Sequence, residues 1–439
     1  MLDRLKQRYW DWARQRQLLA WSRSLPPGDA MSGDEPRQPA TVFVANEFFH
    51  KDLRGFGGFG RVIKAIVEHS LARPEGGARF AVALAGTTPL VAEPSIRQYH
   101  GSDVALRPSG GDSPETLGRY RSVLKQLSPR AFFCIDWHPS YLTTALALPH
   151  TPVLIWIRDP RDASEWRRIG AVPGELAFRG LKEGFRVDLL AREKQVSLRT
   201  LIDESRRTGR KLIFCTKAEW LIERARATYG LPDMRAHLLA TPIDLPTIDG
   251  SATASESERP SLLFLGRLDP VKRPWIAFEI AARHPELDVL VAGHVHQPES
   301  MAHWLERYAH LPNLKLLGHV DGAAKDRLLR SCWALLNTSV HEAEPVSFLE
   351  AFSHAKPVIT SHASEDCVLR HGYFTGTVDG DGMDETSLAA YSRAIALLLS
   401  DTAQRREKGA SAREMVRTRH SFESFYAALD DIMRSEGIA

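Results

Sequence analysis

Ser261-Leu262-Leu263-Phe264-Leu265-Gly266-Arg267-Leu268-Asp269-Pro270-Val271-Lys272-Arg273-Pro274 begins as a buried strand and breaks at a glycine. A run that is apolar on both faces suits a parallel sheet covered by helices on either side. The turn then carries two cations, Arg267 and Lys272, and Pro274 suits an early helical position, where its missing N–H costs nothing. Strand, turn and helix in that order make the carboxyl edge of a parallel sheet, and a helix N-terminus at that edge is an anion site. The pattern recurs downstream at Asp288-Val289-Leu290-Val291-Ala292, Leu314-Lys315-Leu316-Leu317-Gly318, Ala334-Leu335-Leu336-Asn337 and Pro357-Val358-Ile359-Thr360. It recurs upstream at Ala40-Thr41-Val42-Phe43-Val44-Ala45, Phe80-Ala81-Val82-Ala83-Leu84-Ala85, Ala131-Phe132-Phe133-Cys134-Ile135, Val153-Leu154-Ile155-Trp156-Ile157 and Lys211-Leu212-Ile213-Phe214-Cys215. Helical patterns separate several of these runs, so the fold class is α/β, one doubly wound domain after another.

At 439 residues the chain exceeds one ordinary core. Residues 1–38 read as an amphipathic helix and a linker, and 39–250 as a first Rossmann-like domain with a charged helical insertion at about 175–210. The small, polar stretch Ser251-Ala252-Thr253-Ala254-Ser255-Glu256-Ser257-Glu258-Arg259-Pro260 reads as an interdomain linker. Residues 260–420 form the second domain, and 421–439 a last helix that packs back on the first. The net charge of +3 gives no basis for nucleic-acid binding. Four cysteines without a C-x-x-C pair read as small buried hydrophobes in a reducing cytoplasm. The N-terminus has no leader-like apolar stretch, and no run of about 18 uncharged apolar residues could span a membrane. The first helix, with Leu2, Leu5, Tyr9, Trp12 and Leu19 roughly on one stripe, has two readings. It lies on the inner face of an anionic membrane through residues 1–24, or it docks on its own domain or another chain.

A second stretch carries acids where the first carries bases: Thr338-Ser339-Val340-His341-Glu342-Ala343-Glu344-Pro345-Val346-Ser347-Phe348-Leu349-Glu350. Glu342 follows a strand, and Glu350 sits early in a helix. Two acceptors aimed at one crevice suit a polyhydroxylated ligand. Ser347-Phe348-Leu349-Glu350 is also a capping-box pattern, which needs no ligand, and Glu344 reads as a rim residue. In the first domain, Gly57-Gly58 between strand and helix lets backbone approach a phosphate or sugar closely. Asp379-Gly380-Asp381 reads as a turn rather than a metal signature, and His294-Val295-His296 as a loop.

These motifs, in this order, resemble family 4 retaining glycosyltransferases (glycosyl transferases group 1) of the GT-B fold. The shared elements are G-R-L-x-x-x-K from Gly266 to Lys272, the Asn337-Thr338-Ser339 strand end, E-x7-E from Glu342 to Glu350, and Ala355-Lys356-Pro357-Val358-Ile359. The resemblance implies two Rossmann-like domains facing a central cleft. It also implies a nucleotide-diphosphate sugar donor, a glycan or lipid-linked acceptor and retention at the anomeric carbon. Arg267 and Lys272 would hold the diphosphate in place of a metal, Glu350 the ribose, Glu342 the sugar hydroxyls, and the backbone around Pro345, Val346 and Ser347 the phosphate or sugar. Gly57 and Gly58 would face the donor, and no cofactor is expected. Cys134-Ile135-Asp136-Trp137-His138 resembles the family's H-x-H-D-W-H segment, which implies that Asp136 and His138 contact sugar or acceptor. Here Ile135 replaces its second histidine, and Arg158 replaces another after the next strand. Those departures keep two alternatives open, a non-catalytic nucleotide-sugar binder or scaffold and a nucleotide-sugar epimerase.

Overall fold

Strands rich in Val, Ile, Leu and Phe gain by leaving water, and the computed structural model assembles them into two separate sheets. It describes residues 2–25, 38–50, 52–53, 57–73, 79–88, 91–108, 112–182, 184–247, 256–295, 298–363 and 365–438. Outside the described residues lie the first linker (26–37), most of the second (248–255), Arg54, Gly55 and Phe56 of the glycine-rich loop, and His296.

The first sheet contains β1 (Ala40–Ala45), β2 (Arg79–Thr88), β3 (Ser95–Tyr99), β4 (Ser102–Pro108), β5 (Pro129–Ile135), β6 (Val153–Ile157), β7 (Leu212–Thr216) and β8 (His237–Leu238). Their order is β3-β4-β2-β1-β5-β6-β7-β8, and only the β3–β4 pair is antiparallel. Val42 pairs with Ala81 on one side and Phe132 on the other, so alternate residues serve opposite faces. One face packs Val42, Val44, Phe132, Cys134, Val153 and Ile155 under helices. The other carries an aromatic ladder with ring centroids 5.6 Å (Phe80–Phe43), 5.0 Å (Phe43–Phe133) and 5.4 Å (Phe133–Trp156) apart. Such pairs add roughly 0.5–1.5 kcal/mol each beyond burial.

The second sheet contains β9 (Ser261–Leu265), β10 (Asp288–Ala292), β11 (Leu314–Gly318), β12 (Ala334–Asn337), β13 (Val358–Thr360) and β14 (Tyr373–Phe374). The order is β11-β10-β9-β12-β13-β14, all parallel. Leu262 and Phe264 enter the core on one face, and Leu263 enters the core on the other.

The chain divides into two units. One comprises Met1–Pro160, Arg192–Ala240 and Tyr426–Ala439, and the other Arg161–Ala191 and Thr241–Phe425. The helix Phe422–Ser435 thus contributes mainly to the first unit, where the Tyr426 hydroxyl donates to the Ile66 carbonyl at 3.0 Å. The segment Arg161–Ala191 clusters with the second unit although its sequence lies between strands of the first sheet. Its apolar residues explain this: Trp166, Ile169, Val172 and Ala191 join the core beneath β9 and β10. The charged stretch expected at 175–210 as one insertion of the first domain is therefore shared between the units.

The N-terminal helix Leu2–Arg23 docks on the first unit through its last turns. Leu18 is buried in the core, Ser22 Oγ donates to the Leu146 carbonyl at 2.8 Å, and Arg23 pairs with Glu204. Among the described residues no helix is long and apolar enough to cross a membrane.

Candidate active site

In an open parallel sheet, ligands meet the carboxyl ends of the strands where the strand order reverses. In the second sheet that point lies between β9 and β12, because the chain runs from β9 outward to β10 and later returns to β12 on the other side. The two loops leaving it carry the expected bases and acids.

After β9, Asp269 caps a short 3-10 turn, Pro270–Lys272, and Pro274 starts the helix Pro274–Arg283 as its first residue. Between them Arg273 takes a left-handed φ of 46°. Its guanidinium is fully buried. Nε donates to the Thr338 carbonyl at 2.8 Å, Nη2 to the Ser339 carbonyl at 3.0 Å and Nη1 to the Val378 carbonyl at 2.9 Å. Thr338 Oγ1 returns a hydrogen bond to the Lys272 carbonyl at 2.7 Å, and the Val340 amide donates to the Val271 carbonyl at 2.9 Å. The two loops are thereby locked together, and the locked loops bring Lys272 Nζ to Glu342 Oε1 at 2.5 Å.

That oxygen also accepts from Ser339 Oγ at 2.6 Å and Asn337 Nδ2 at 3.0 Å. Burial pushes the Glu342 carboxyl up. The charge and hydrogen bond of Lys272, the Ser339 hydroxyl and the charge of His362 outweigh burial and bring it down to about 2. The stem of Lys272 lies along Gly266, where an added Cβ would stand 3.9 Å from its Cδ. Arg267 turns to Asp269 at 3.0 Å and remains 43% exposed.

Glu350 lies within the helix Val346–Ser353, whose N-cap is Pro345 with no side chain capping it. The capping box that Ser347 and Glu350 could have made does not form. Instead Glu350 Oε1 accepts from Lys325 Nζ at 2.6 Å, a partner carried by the helix Gly322–Ser331. The amides of Val346 and Ser347 start the helix at the same strand edge as Glu342. Glu344 is not a rim residue: it is buried, with a left-handed φ of 62°. Asp379 pairs with Arg168 at 2.6 Å, and among the described residues no His, Cys, Asp or Glu cluster could hold a metal.

The corresponding reversal in the first sheet lies between β1 and β5. Gly57 is the N-cap of the helix Gly58–Leu71, and the Glu47 carboxylate rests against it. Glu47 Oε1 accepts from the Gly60 amide at 2.8 Å, and an added Cβ on Gly57 would lie 2.4 Å from it. Among the described residues no atom lies within 4 Å of the corresponding position on Gly58. Asp136, with a left-handed φ of 63°, accepts from Lys194 Nζ at 3.0 Å and from the Tyr229 hydroxyl at 2.9 Å. His138 Nδ1 meets Ser140 Oγ at 2.8 Å, and Ser140 Oγ donates to Asn46 Oδ1 at 2.8 Å. Burial and then the Lys194 charge, opposed by Asp136, pull the His138 imidazole down to about 4. Ile135 is fully buried, and Arg158 is buried with its guanidinium 4.3 Å from the Trp156 ring centroid.

The structure thus gathers Gly266, Arg267, Lys272, Glu342, Pro345, Val346, Ser347 and Glu350 on the loops and helices at the carboxyl edge of the second sheet. Gly57, Gly58, Asp136 and His138 belong to the first. Sequence reasoning missed Arg273, Lys325, Glu47 and Lys194, each of which partners a residue it had singled out. Of these, only Arg273 adjoins its motif.

Residues 249–415 match the family described as glycosyl transferases group 1. Among curated proteins no relative matches by sequence. Solved structures share the fold. A crystal structure of Anabaena HepE in complex with UDP and glucose aligns over 90% of this chain and 100% of its own, at a TM-score of 0.61 and 14% identity. Sucrose-phosphate synthase from Thermosynechococcus elongatus aligns over 90% and 98%, at 0.64 and 16%. AviGT4, a glycosyltransferase involved in avilamycin A biosynthesis, aligns over 91% and 99%, at 0.55 and 16%. At these identities the likeness establishes architecture, and the architecture is GT-B.

Proposed function

We propose that this chain, a glycosyltransferase by its group 1 match and GT-B by its fold, moves a sugar from a nucleoside-diphosphate donor to a hydroxyl acceptor with retention at the anomeric carbon. The observation that carries the reading is the Lys272–Glu342 pair at the reversal point of the second sheet. In the proposed reaction the bond from the anomeric carbon to the diphosphate oxygen breaks, and its electron pair leaves with the phosphate. Lys272 and Arg267 meet that growing negative charge, which stabilises the transition state more than the ground state. The acceptor oxygen bonds to the same face of the anomeric carbon, and its proton passes to the departing phosphate. Glu342 holds the transferred sugar's hydroxyls, Glu350 holds the ribose, and the Val346 and Ser347 amides meet phosphate or sugar. The diphosphate would compete with Glu342 for the Lys272 ammonium. The acceptor, a glycan or a lipid-linked hydroxyl, is assigned to the first unit with Asp136 and His138.

The HepE complex with UDP and glucose makes a uridine diphosphate sugar the first donor to test. A thermal-shift screen against UDP-, GDP-, ADP- and dTDP-sugars identifies the nucleotide, because a ligand of the folded form raises its melting point. Turnover of that donor is expected to collapse in Lys272→Ala and Glu342→Ala. Unchanged turnover in both would refute the reading. Ile135, buried where the family has a histidine, favours one second reading. A donor that raises the melting point but is never turned over would point to a nucleotide-sugar binding protein.

A further inference from the structure

We infer that the segment Arg161–Ala191 is a strap that sets the position of Glu342, and that Glu165 is its positioning residue. The inference rests on the donor-site reading of Glu342. The strap starts with an anchored helix, Ala163–Gly170. The Asp162 carboxylate accepts from the Ser164 amide at 2.8 Å and the Glu165 amide at 2.9 Å, which fixes the first turn. Trp166 and Ile169 of that helix are buried with Leu268 and Val271 of the β9 loop, so hydrophobic burial seats the strap on the second unit.

From this seat the helix grips the two residues before Glu342. Glu165 Oε2 accepts from His341 Nδ1, and the His341 side chain is only 2% exposed. Arg168, one turn on, donates Nη2 to the Val340 carbonyl at 3.0 Å and Nε to Asp379 Oδ1 at 2.6 Å. Arg168 Nη1 also stands 3.4 Å from Glu165 Oε1, so the two side chains brace each other. From the opposite direction, Arg273 holds the Thr338 and Ser339 carbonyls. Residues 338 to 341 are therefore clamped from two sides. Glu342 follows directly, with three hydrogen bonds converging on one oxygen within 3.0 Å. A displacement of about 1 Å would break that convergence, and misplacements of this size cost about a hundredfold in rate.

The strap has few reasons of its own to carry these groups. Its seat is already apolar, and a buried carboxylate–imidazole contact is costly unless its geometry is used. What it holds in place is the loop before the acid.

The test uses the full-length chain and two readouts. Hydrogen exchange at the amides of residues 339–343 is expected to speed up at least tenfold in Glu165→Ala. With the donor identified above, kcat is expected to fall about ten- to hundredfold while UDP binding changes less than about threefold, because Glu342 meets the sugar and not the nucleotide. Glu165→Gln keeps an acceptor oxygen for His341 and should recover to within about threefold of the parent. If Glu165→Ala does not fold, His341→Leu cuts the same contact from the other end and is held to the same expectations. Exchange at 339–343 unchanged, kcat within twofold of the parent, or Gln as impaired as Ala would each overturn the inference. Absence of turnover in the parent would sink the donor reading instead, and the exchange measurement would still decide whether the strap clamps the loop.

Discussion

Replacing Lys272 by Met should reveal how much of the second unit's stability is tied up in the proposed donor site. The Glu342 carboxyl stands at about 2, against an ordinary value of 4.5. At about 1.4 kcal/mol per unit, that gap corresponds to about 3 kcal/mol carried by the ionised, paired form. The sign follows from the depressed value. The contribution is fully present above 4.5 and is lost as pH falls through 4.5 towards 2. In Lys272→Met the buried carboxylate keeps Ser339 and Asn337 but loses its cation. Breaking such a pair from one side costs about 3–5 kcal/mol, and the partial exposure of Lys272 puts this case at about 3. For a unit of about two hundred residues this lowers Tm by about 6–10 °C at pH 7. Adding Glu342→Gln removes the stranded charge and should restore most of the loss, so the double variant is more stable than Lys272→Met alone. Urea unfolding at pH 7 and pH 3.5 measures both effects, and the penalty of the single variant should shrink by about 1 kcal/mol at the lower pH. A single variant as stable as the parent at pH 7, or a double variant no better than the single, would refute the argument that Glu342 is held down by this ammonium.

Two further outcomes follow from the first unit. The His138 imidazole, drawn to about 4 by burial and then Lys194, takes up its proton later than the unfolded chain does at 6.5. Stability should therefore be complete above 6.5 and fall as pH drops towards 4, by about 2 kcal/mol at pH 5. His138→Gln should flatten that part of a urea-midpoint profile, and an unchanged slope would refute the assignment. Gly57→Ala should displace the Glu47 carboxylate and cost about 1 kcal/mol, as a lost cap does, while Gly58→Ala meets no atom of the described residues and should be neutral in the same unfolding assay.

Most strands were legible because burial on both faces leaves a signal that needs no partner to be read, and β11 was read from its leucines although it is largely exposed at the sheet edge. Val153–Ile157 and Ser261–Leu265 fall where their apolar runs predict. The two-residue strands β8 and β14 and the neighbouring pair β3 and β4 were not: β8 and β14 are too short to set apart from loop, β3 is partly exposed, and β4 offers only the short apolar run Val104-Ala105-Leu106 between polar residues. The two loops of the proposed donor site were legible for a different reason. Their chemistry is compressed into two short stretches, each between a strand and a helix, and topology brings those stretches together. What could not be read was pairing at a distance. Lys325 reaches Glu350 from 25 residues earlier and Glu165 reaches His341 from 176 residues earlier, and nothing local marks either as a partner. The strap itself had one readable sign. Trp166, Ile169 and Val172 form an apolar stripe in a stretch otherwise dominated by charge, and that stripe demanded a seat on some core.

Asp136 shows how geometry redistributes roles among residues a motif treats alike. A left-handed backbone at a non-glycine residue costs of order 1 kcal/mol or more and persists only where its surroundings enforce it. Here the enforcement is visible: Lys194 engages one carboxylate oxygen and Tyr229 the other, while the Asp136 amide is tied to the Trp156 carbonyl at 2.8 Å. A carboxylate engaged on both oxygens is a good anchor. Its anchoring matters two residues on, where the chain leaves β5 and presents His138 at the reversal point of the first sheet. That imidazole is neutral at pH 7, so it can accept a hydrogen bond from an acceptor hydroxyl or donate one to a sugar oxygen without first losing a proton. Within the proposed acceptor site His138 is therefore the neutral hydrogen-bonding group, and Asp136 with Lys194 sets the turn that carries it.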